Sequence, residues 1–240
     1  MRTVAAAACV LALAGLASAG PMPNPITQTG CTAFTSDLEA PKTITLNSFD
    51  TTASFGCPAG QWAELQSVVL TVTYCGSANI KADNDDDFQG ADVNARIIRS
   101  WSMTMPGGSD ATGAKTVTSS TVNLAADDND NDNFDATAPD GTDFGAALTF
   151  ANEPAAGSPY TPTTSAYETA GTGTVDFVVT PIAIVNDLQW VTTPDAWQME
   201  VQDALMTVDV TLDYHWTCVP EPASLALLAI GGLALIRRRK

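Results

Sequence analysis

The middle of this 240-residue chain contains very little positive charge. Ten lysine and arginine residues occur in all, and five of them lie near the two ends. The middle contains the other five, together with 26 of the 27 acidic residues. It therefore carries a formal charge of −21, against −17 for the whole chain. Such a charge disfavours nucleic acid and anionic lipid surfaces as partners, and it keeps a protein soluble.

Residues suited to catalysis are also scarce. His215 is the single histidine, so a serine triad would have to use it, and no G-x-S-x-G turn is present. The sequence has no C-x-x-C motif, the spacing that would indicate a zinc site. Paired carboxylates could serve a glycosidase, but among so many acids some pairs form by chance. We therefore expect a non-catalytic protein without a cofactor, with a secreted carbohydrate-active enzyme as the alternative.

The N-terminus has the three parts of a secretory signal peptide. Met1-Arg2 is a short basic region, residues 4–16 are apolar, and Ala17-Ser18-Ala19 is a small-x-small cleavage site. The apolar run is too short for a transmembrane helix. The pattern predicts a signal peptide over residues 1–19, cleavage between Ala19 and Gly20, and the secretion machinery and signal peptidase as partners.

The C-terminus has a second three-part pattern. The backbone around Glu221 is expected to be extended, because Pro220 and Pro222 each fix their own φ and restrict the residue before them. Residues 223–236 are apolar and form a short hydrophobic helix of about 21 Å, against a hydrocarbon core of about 30 Å. The chain then closes on a basic cluster that stops translocation, namely Arg237, Arg238, Arg239 and Lys240.

This tail resembles the PEP-CTERM sorting signal of exported bacterial proteins, also called the ice-binding protein C-terminal domain, a name that is no evidence of ice binding. The resemblance rests on the motif at 219–224, the apolar segment and the basic cluster. It implies recognition by an exosortase, transient insertion in the inner membrane, cleavage near the motif, and delivery to the cell surface or an extracellular polysaccharide matrix. A permanent C-terminal membrane anchor is the alternative.

Between the two signals, the sequence predicts one all-β domain over residues 20–217, followed by the sorting tail at 218–240. Side chains alternate between apolar and polar in the last strand, residues 206–216, and in the strand at 67–74. Further strands are expected at 43–49, 92–105, 115–124, 146–151 and 174–185, with proline and glycine between them. Short antiparallel strands favour a β-sandwich or jelly roll. The tryptophans, which could stack on sugars, are expected mainly in the core of such a fold: Trp62, Trp101, Trp190, Trp197 and Trp216.

The body also resembles the choice-of-anchor E domain, an exported module that occurs with interchangeable sorting tails. The similar pieces are residues 46–50, 65–70, 140–145 and 171–175, together with the last strand. Where that family has glycines after Gly145, this chain has Ala146-Ala147. The resemblance implies an architecture and an exported context, but no activity.

Four cysteines remain outside the signal peptide: Cys31, Cys57, Cys75 and Cys218. An even number in an exported chain predicts two disulfides. Cys57 and Cys75 flank the strand at 67–74, and its extended residues separate them by roughly 26 Å, whereas a disulfide needs Cα atoms within about 7 Å. Two pairings stay open: Cys31–Cys57 with Cys75–Cys218, or Cys31–Cys75 with Cys57–Cys218.

Two acidic runs, at residues 83–87 and 127–135, alternate aspartate with asparagine or with further aspartate. Oxygen ligands spaced in this way on a loop suit a hard cation such as calcium, although neither run fits the EF-hand template. A noncanonical site of this kind would bind weakly, with a Kd of about 10⁻⁴–10⁻³ M. The alternative is a pair of solvated loops without an ion. The calcium candidates are Asp83, Asp85, Asp87, Asp128, Asp130 and Asp132.

Overall fold

The computed structural model describes residues 24–108, 110–128, 133–145 and 148–220, which fold as two antiparallel sheets packed face to face. This confirms the all-β sandwich predicted from the alternation of side chains. The signal peptide and the tail beyond Pro220, including its hydrophobic segment, lie outside the described residues. The strands are β1 (Ile26–Phe34), β2 (Lys42–Asn47), β3 (Phe49–Asp50), β4 (Gln61–Asp83), β5 (Ala91–Thr104), β6 (Ala111–Thr118), β7 (Val122–Leu124), β8 (Gly141–Asp143), β9 (Thr149–Pro154), β10 (Glu168–Thr169), β11 (Thr174–Trp190) and β12 (Gln198–Pro220).

The first sheet has the strand order β1-β12-β4-β8, and β9 pairs with another part of β4. The second has the order β2-β11-β5-β6, and β7 pairs with the start of β5. The short β3 and β10 form a separate parallel pair. Neighbouring strands of the two large sheets run antiparallel, and the long strands pair with different short strands along their length.

The two longest strands, β4 and β12, form the spine of the molecule. Each has 23 residues, and they pair from Gln198–Asp83 at one end to Pro220–Gln61 at the other. At about 3.3 Å per residue the pair is about 70 Å long. Alternate side chains of β12 from Met206 to Tyr214 are buried, as the apolar alternation predicts, because one face of the strand meets the other sheet.

Buried side chains form two clusters along this spine. The larger contains most of the aromatic core, including Phe34, Tyr74, Trp101 and Tyr214. The smaller lies toward the Gln198 end and consists mainly of aliphatic residues. Tyr74 meets Trp101 edge to face at 5.6 Å, an arrangement that aromatic quadrupoles favour.

Arg99, which is fully buried, lies on the inner face of β5 and joins the two sheets. All five of its N–H donors are used, although no carboxylate is among the acceptors. The acceptors are the backbone carbonyls of Ser77, Ile98, Val185 and Leu205 and the side-chain oxygen of Asn186, at 2.7–3.1 Å. Burial lowers the pKa of Arg99 to about 10, so the guanidinium stays charged at neutral pH.

Gly76 makes room for this arginine. A Cβ atom at position 76 would lie 2.7 Å from the Cγ of Arg99 and 2.5 Å from the ring of Phe150. Both contacts are closer than packed carbon atoms tolerate, so a larger residue would displace the arginine or the ring. The glycine is therefore required by close packing between the sheets.

Replacing Arg99 with methionine should destabilise the domain strongly. The substitution removes five donors and leaves buried carbonyls without partners, which we expect to cost about 3 kcal/mol in the free energy of unfolding. Arg96→Met on the same strand is the matched control: Arg96 pairs with Asp187 at a half-buried site, so its loss should cost less than about 1 kcal/mol. Urea unfolding measures both, and equal losses would contradict the role given to Arg99.

Candidate functional site

The end of the spine at Asp83 and Gln198 carries an unusual group of buried acids. Asp83, Asn84, Asp85 and Asp86 are only 4, 0, 9 and 7 % exposed, although aspartates in a loop are normally solvated. They pack against the segments 127–128 and 135–140, which come from the connection between β7 and β8. These three segments together are called the acidic tip below.

Hydrogen bonds to the backbone hold the acidic tip in place. The Asn84 amide donates to the carbonyl oxygens of Gln89 and Ala125, at 2.9 and 2.5 Å. The Asp86 carboxylate accepts hydrogen bonds from the backbone N–H of Asp195, at 2.9 Å, and from those of Phe88 and Gln89 in its own loop. These donors lower the pKa of Asp86, and the Asp195 N–H has the largest effect. The local fold thus fixes the positions of the carboxylates.

Several carboxylates of the tip lie close enough to share one cation. Oxygen atoms of Asp127, Asp128 and Asp140 all lie within 4.8 Å of one another. Asp83 is next to this group, and its Oδ2 accepts the N–H of Asp135 at 2.7 Å. Burial, with added repulsion from neighbouring aspartates, raises the pKa of Asp83 to about 6. A hard divalent cation would relieve this repulsion, and carboxylate oxygens are the ligands that calcium prefers.

The predicted calcium candidates have different surroundings in the structure. Asp83 and Asp85 are buried in the acidic tip, Asp128 belongs to its three-carboxylate group, and Asp87 is exposed. Asp130 and Asp132 lie outside the described residues. Asp127 and Asp140 were not among the predicted ligands, although Asp127 begins the second acidic run, because the prediction considered alternate positions of one loop, whereas the fold brings together separate segments. Asp140 lies in the Pro139-Asp140-Gly141 turn that leads into β8.

The opposite end of the spine is closed by a disulfide. Cys57, in the loop before β4, is bonded to Cys218 near the end of β12, with Cα atoms 5.6 Å apart. This agrees with the prediction that Cys57 does not pair with Cys75. The bond links the loop before β4 to β12, just before the Pro220 motif. This part of the molecule is called the sorting end below.

The other predicted disulfides are wrong. Cys75 is a free thiol, which excludes both Cys75–Cys218 and Cys31–Cys75. Cys31 and Cys75 lie on β1 and β4, on either side of β12, next to Asp209 and Thr207. Two strand spacings of about 4.8 Å separate their backbones, beyond the reach of a disulfide. The Cys31–Cys57 pairing is excluded because Cys57 is bonded to Cys218.

The single histidine, His215, lies on β12 in the first sheet. His215 lies opposite Ser67 on the outer face of the first sheet. Among the described residues no hydrogen bond joins the two side chains, and the carboxylate of Asp213 accepts instead from the Thr27 hydroxyl. The position of His215 agrees with the prediction that it is a surface residue.

The tryptophans divide between the core and the surface. Trp101 and Trp216 are buried, as expected, and Trp190 is half-buried. Trp62 and Trp197 are 44 and 40 % exposed, at opposite ends of the spine. An open groove of about 510 Å³ lies between the edges of the sheets, and among the described residues that line it Glu153 is the one carboxylate. That carboxylate forms an ion pair with Lys115 at 3.0 Å, so the groove does not present two free acids.

The sorting end leads directly into a segment that a family model matches. Residues 219–240 match the PEP-CTERM protein-sorting motif. This chain carries a PEP-CTERM sorting signal. Such a signal marks an exported protein that is anchored in the membrane before an exosortase processes it. Of its residues the structure describes Val219 and Pro220, whereas Glu221, Pro222 and the basic cluster, like Ala17, Ala19 and Gly20 of the signal peptide, lie outside the described residues.

Other comparisons add little to this. No curated protein matches the chain. A solved structure of the infectious bursal disease virus Gx strain aligns with 78 % of this chain and 38 % of the viral chain, at 10 % identity and a TM-score of 0.18, which carries no argument about fold or function. The resemblance to the choice-of-anchor E domain stays a prediction. Within the described parts of the chain no helix is long and apolar enough to cross a membrane.

Calcium should stabilise the protein if the acidic tip binds it. For a Kd of about 1 mM, 10 mM calcium would add about 1.4 kcal/mol, and the melting temperature would rise by about 3 °C over that in EDTA. Asp140→Asn should abolish the rise, because Asp140 is a buried member of the three-carboxylate group. Asp37→Asn, an equal charge change at an exposed turn, should preserve it. Identical melting curves in EDTA and calcium would contradict the prediction.

Proposed function

We propose that the processed protein is a non-catalytic β-sandwich displayed at the cell surface or in an extracellular polysaccharide matrix. The sorting signal supports the exported part of this proposal, since it provides for transport, transient anchoring and release. The β-sandwich is then the part of the protein that the sorting signal delivers to the cell surface or matrix. Its role there is structural or adhesive, through surfaces that bind other components of the envelope.

The observation that carries the proposal is the continuity of β12 with the sorting motif. β12 pairs with β4 as far as Pro220, which lies opposite Gln61. The disulfide at Cys218 secures the same end. Cleavage near the motif would therefore remove none of the twelve described strands. A processed protein keeps its complete described core, which suits a domain meant to function after release from the membrane.

The length of the spine places the acidic tip about 70 Å from the sorting end. With the tail anchored and the spine upright, the tip would lie up to about 70 Å from the membrane surface. In that arrangement the tip and the strands next to it would meet the matrix first. The negative charge of the body favours neutral polysaccharides, or acidic ones joined through divalent cations, over direct contact with polyanions.

Two features support a non-catalytic role over a carbohydrate-active enzyme. Asp83 has the raised pKa of a general acid, but the side chain is 4 % exposed and its Oδ2 accepts a backbone N–H, so a substrate has little access to it. The groove between the sheets has a single lining carboxylate, whereas glycoside hydrolysis normally needs two. Permanent anchoring through the tail is the other alternative.

Intact mass of the protein, isolated from a bacterium that has an exosortase, tests the processing. We expect a chain that begins near Gly20 and ends near the Pro220 motif. Glu221→Ala should retain the tail, because it removes the charged residue of the motif. Glu64→Ala, an exposed glutamate at the sorting end, should be processed normally. A wild-type chain that keeps Arg237–Lys240 at the cell surface would favour the permanent anchor.

Polysaccharide hydrolysis tests the non-catalytic role. The processed protein should release no reducing ends from neutral or acidic polysaccharides, because its best-enclosed acids are inaccessible and Glu153 is paired with Lys115. Heat-denatured protein provides the background. Turnover above that background that disappears in Asp140→Asn or Glu153→Gln would overturn the proposal in favour of an enzyme.

A further inference from the structure

One side of the sandwich lacks a covering strand near the acidic tip. β1 pairs with β12 only along residues 206–214, and β2 pairs with β11 only along 174–179. Beyond these points β11 continues to Trp190, and β12 begins at Gln198. On that side no described strand pairs with residues 186–190 of β11 or 199–202 of β12, although β11 and β12 themselves approach each other. This region, residues 186–190 and 197–202, is called the open flank.

Backbone polar groups of β12 face the open flank. In an antiparallel sheet the N–H and C=O groups of successive residues point to opposite sides of the strand. Ile80 accepts the N–H of Phe144, on the side of β4 away from β12, so the groups of Lys81 point toward β12. Lys81 lies opposite Glu200, whose groups point back to β4. Those of Met199 and Val201 therefore point to the open flank.

The same two residues also turn their side chains toward the core. Met199 and Val201 lie opposite Ala82 and Ile80, which are fully buried in the smaller cluster. Yet Met199 and Val201 are 38 and 36 % exposed. Trp197 continues this row, with its ring 5.8 Å from that of Trp190 on β11. The smaller cluster is therefore uncovered on one side, where an unpaired strand edge is also present.

The ends of the processed chain are too far away to cover the open flank. At the sorting end Asn24 bonds to the backbone of Trp216, and β12 ends its pairing at Pro220. From Gln202 to Pro220 the strand extends about 60 Å. The few residues between the predicted start at Gly20 and Asn24 span about 14 Å at most. Within the described residues the flank is therefore open to another molecule.

Charge identifies the kind of molecule that fits. Asp195 and Asp203 are exposed beside the flank, Glu200 there pairs with Lys81 at 3.4 Å, and the body as a whole carries −21. Two copies of such a chain repel each other, whereas a cationic segment is attracted. Asp203 has a φ of +53° at an irregularity in β12, so the regular edge available to a partner is short. Edge pairing of this kind uses the main chain for affinity and alternate side chains for specificity.

We propose that the open flank binds a short extended segment of another protein, which adds as a strand to the edge of β12. The segment pairs with the backbone groups of Met199 and Val201. Its inward side chains are apolar and pack on Trp190, Trp197 and the smaller cluster. Its outward side chains include lysine or arginine, which the surrounding acids attract. This interaction is independent of how the sorting tail is processed.

A synthetic nine-residue peptide that alternates valine and threonine with lysine is the probe, and the same peptide with glutamate in place of lysine is its charge control. The lysine peptide should bind the processed protein saturably, measured by fluorescence anisotropy of a labelled peptide. Hydrogen exchange should slow at the amides of Met199 and Val201. Tryptophan emission should shift in wild-type protein, and less in Trp197→Phe. The glutamate peptide should bind at least tenfold more weakly.

Val201→Lys blocks the edge with a charge and should weaken binding of the lysine peptide at least tenfold. Ile182→Lys is the matched control, because Ile182 is an exposed apolar strand residue outside the open flank, and it should bind as wild type does. Circular dichroism shows whether each variant is folded. Three results would overturn the proposal: no binding of the lysine peptide, equal binding by both variants, or a concentration-dependent dimer whose formation Val201→Lys abolishes.

Discussion

The buried guanidinium of Arg99 is the constraint on which the rest of this sandwich depends. It bonds to β4, β11 and β12 as well as to its own strand, so it fixes the spacing and register of both sheets at one point. Its carbonyl acceptors are available where the strands lack a regular partner. Leu205 directly follows the irregularity in β12, and Val185 lies beyond the end of the pairing between β11 and β2. A charge buried without these acceptors would cost several kcal/mol, so the arginine requires them.

Arg99 also separates two parts of the molecule with different properties. On one side of it the aromatic cluster is covered laterally by β1 and β2 and closed by the Cys57–Cys218 disulfide. On the other side the aliphatic cluster leads to the open flank and the acidic tip. The disulfide-bonded part is therefore next to the sorting signal, and the part with the acidic tip and the open flank lies farthest from it. This division suits a domain that is processed at one end and, as we propose, binds at the other.

The sequence predicted the class of fold well, because alternation reports burial directly. It located β12 and the middle of β4, but it made both strands too short at both ends: β4 runs from Gln61 to Asp83 and β12 from Gln198 to Pro220. β1 was missed because its glycine and threonines do not alternate in polarity, and its position comes from pairing with β12. The disulfide prediction was half right, since loop-to-strand distances could be judged from spacing, whereas the placement of β1 and β4 on opposite sides of β12 could not. The acidic tip could not be predicted for the same reason, because the carboxylates of Asp128 and Asp140 come close together only in the folded chain.

The acidic composition also explains how an unpaired edge can persist in an exported protein. A strand edge with exposed apolar side chains normally invites pairing between copies and aggregation. Here every copy carries the same large negative charge, and the exposed Asp203 lies beside the edge itself. Repulsion between copies grows as two edges approach, whereas the irregularity at Asp203 limits the length over which they could pair. The charge that opposes self-association is the same charge that attracts a cationic strand, so a single property of the sequence provides both solubility and selectivity.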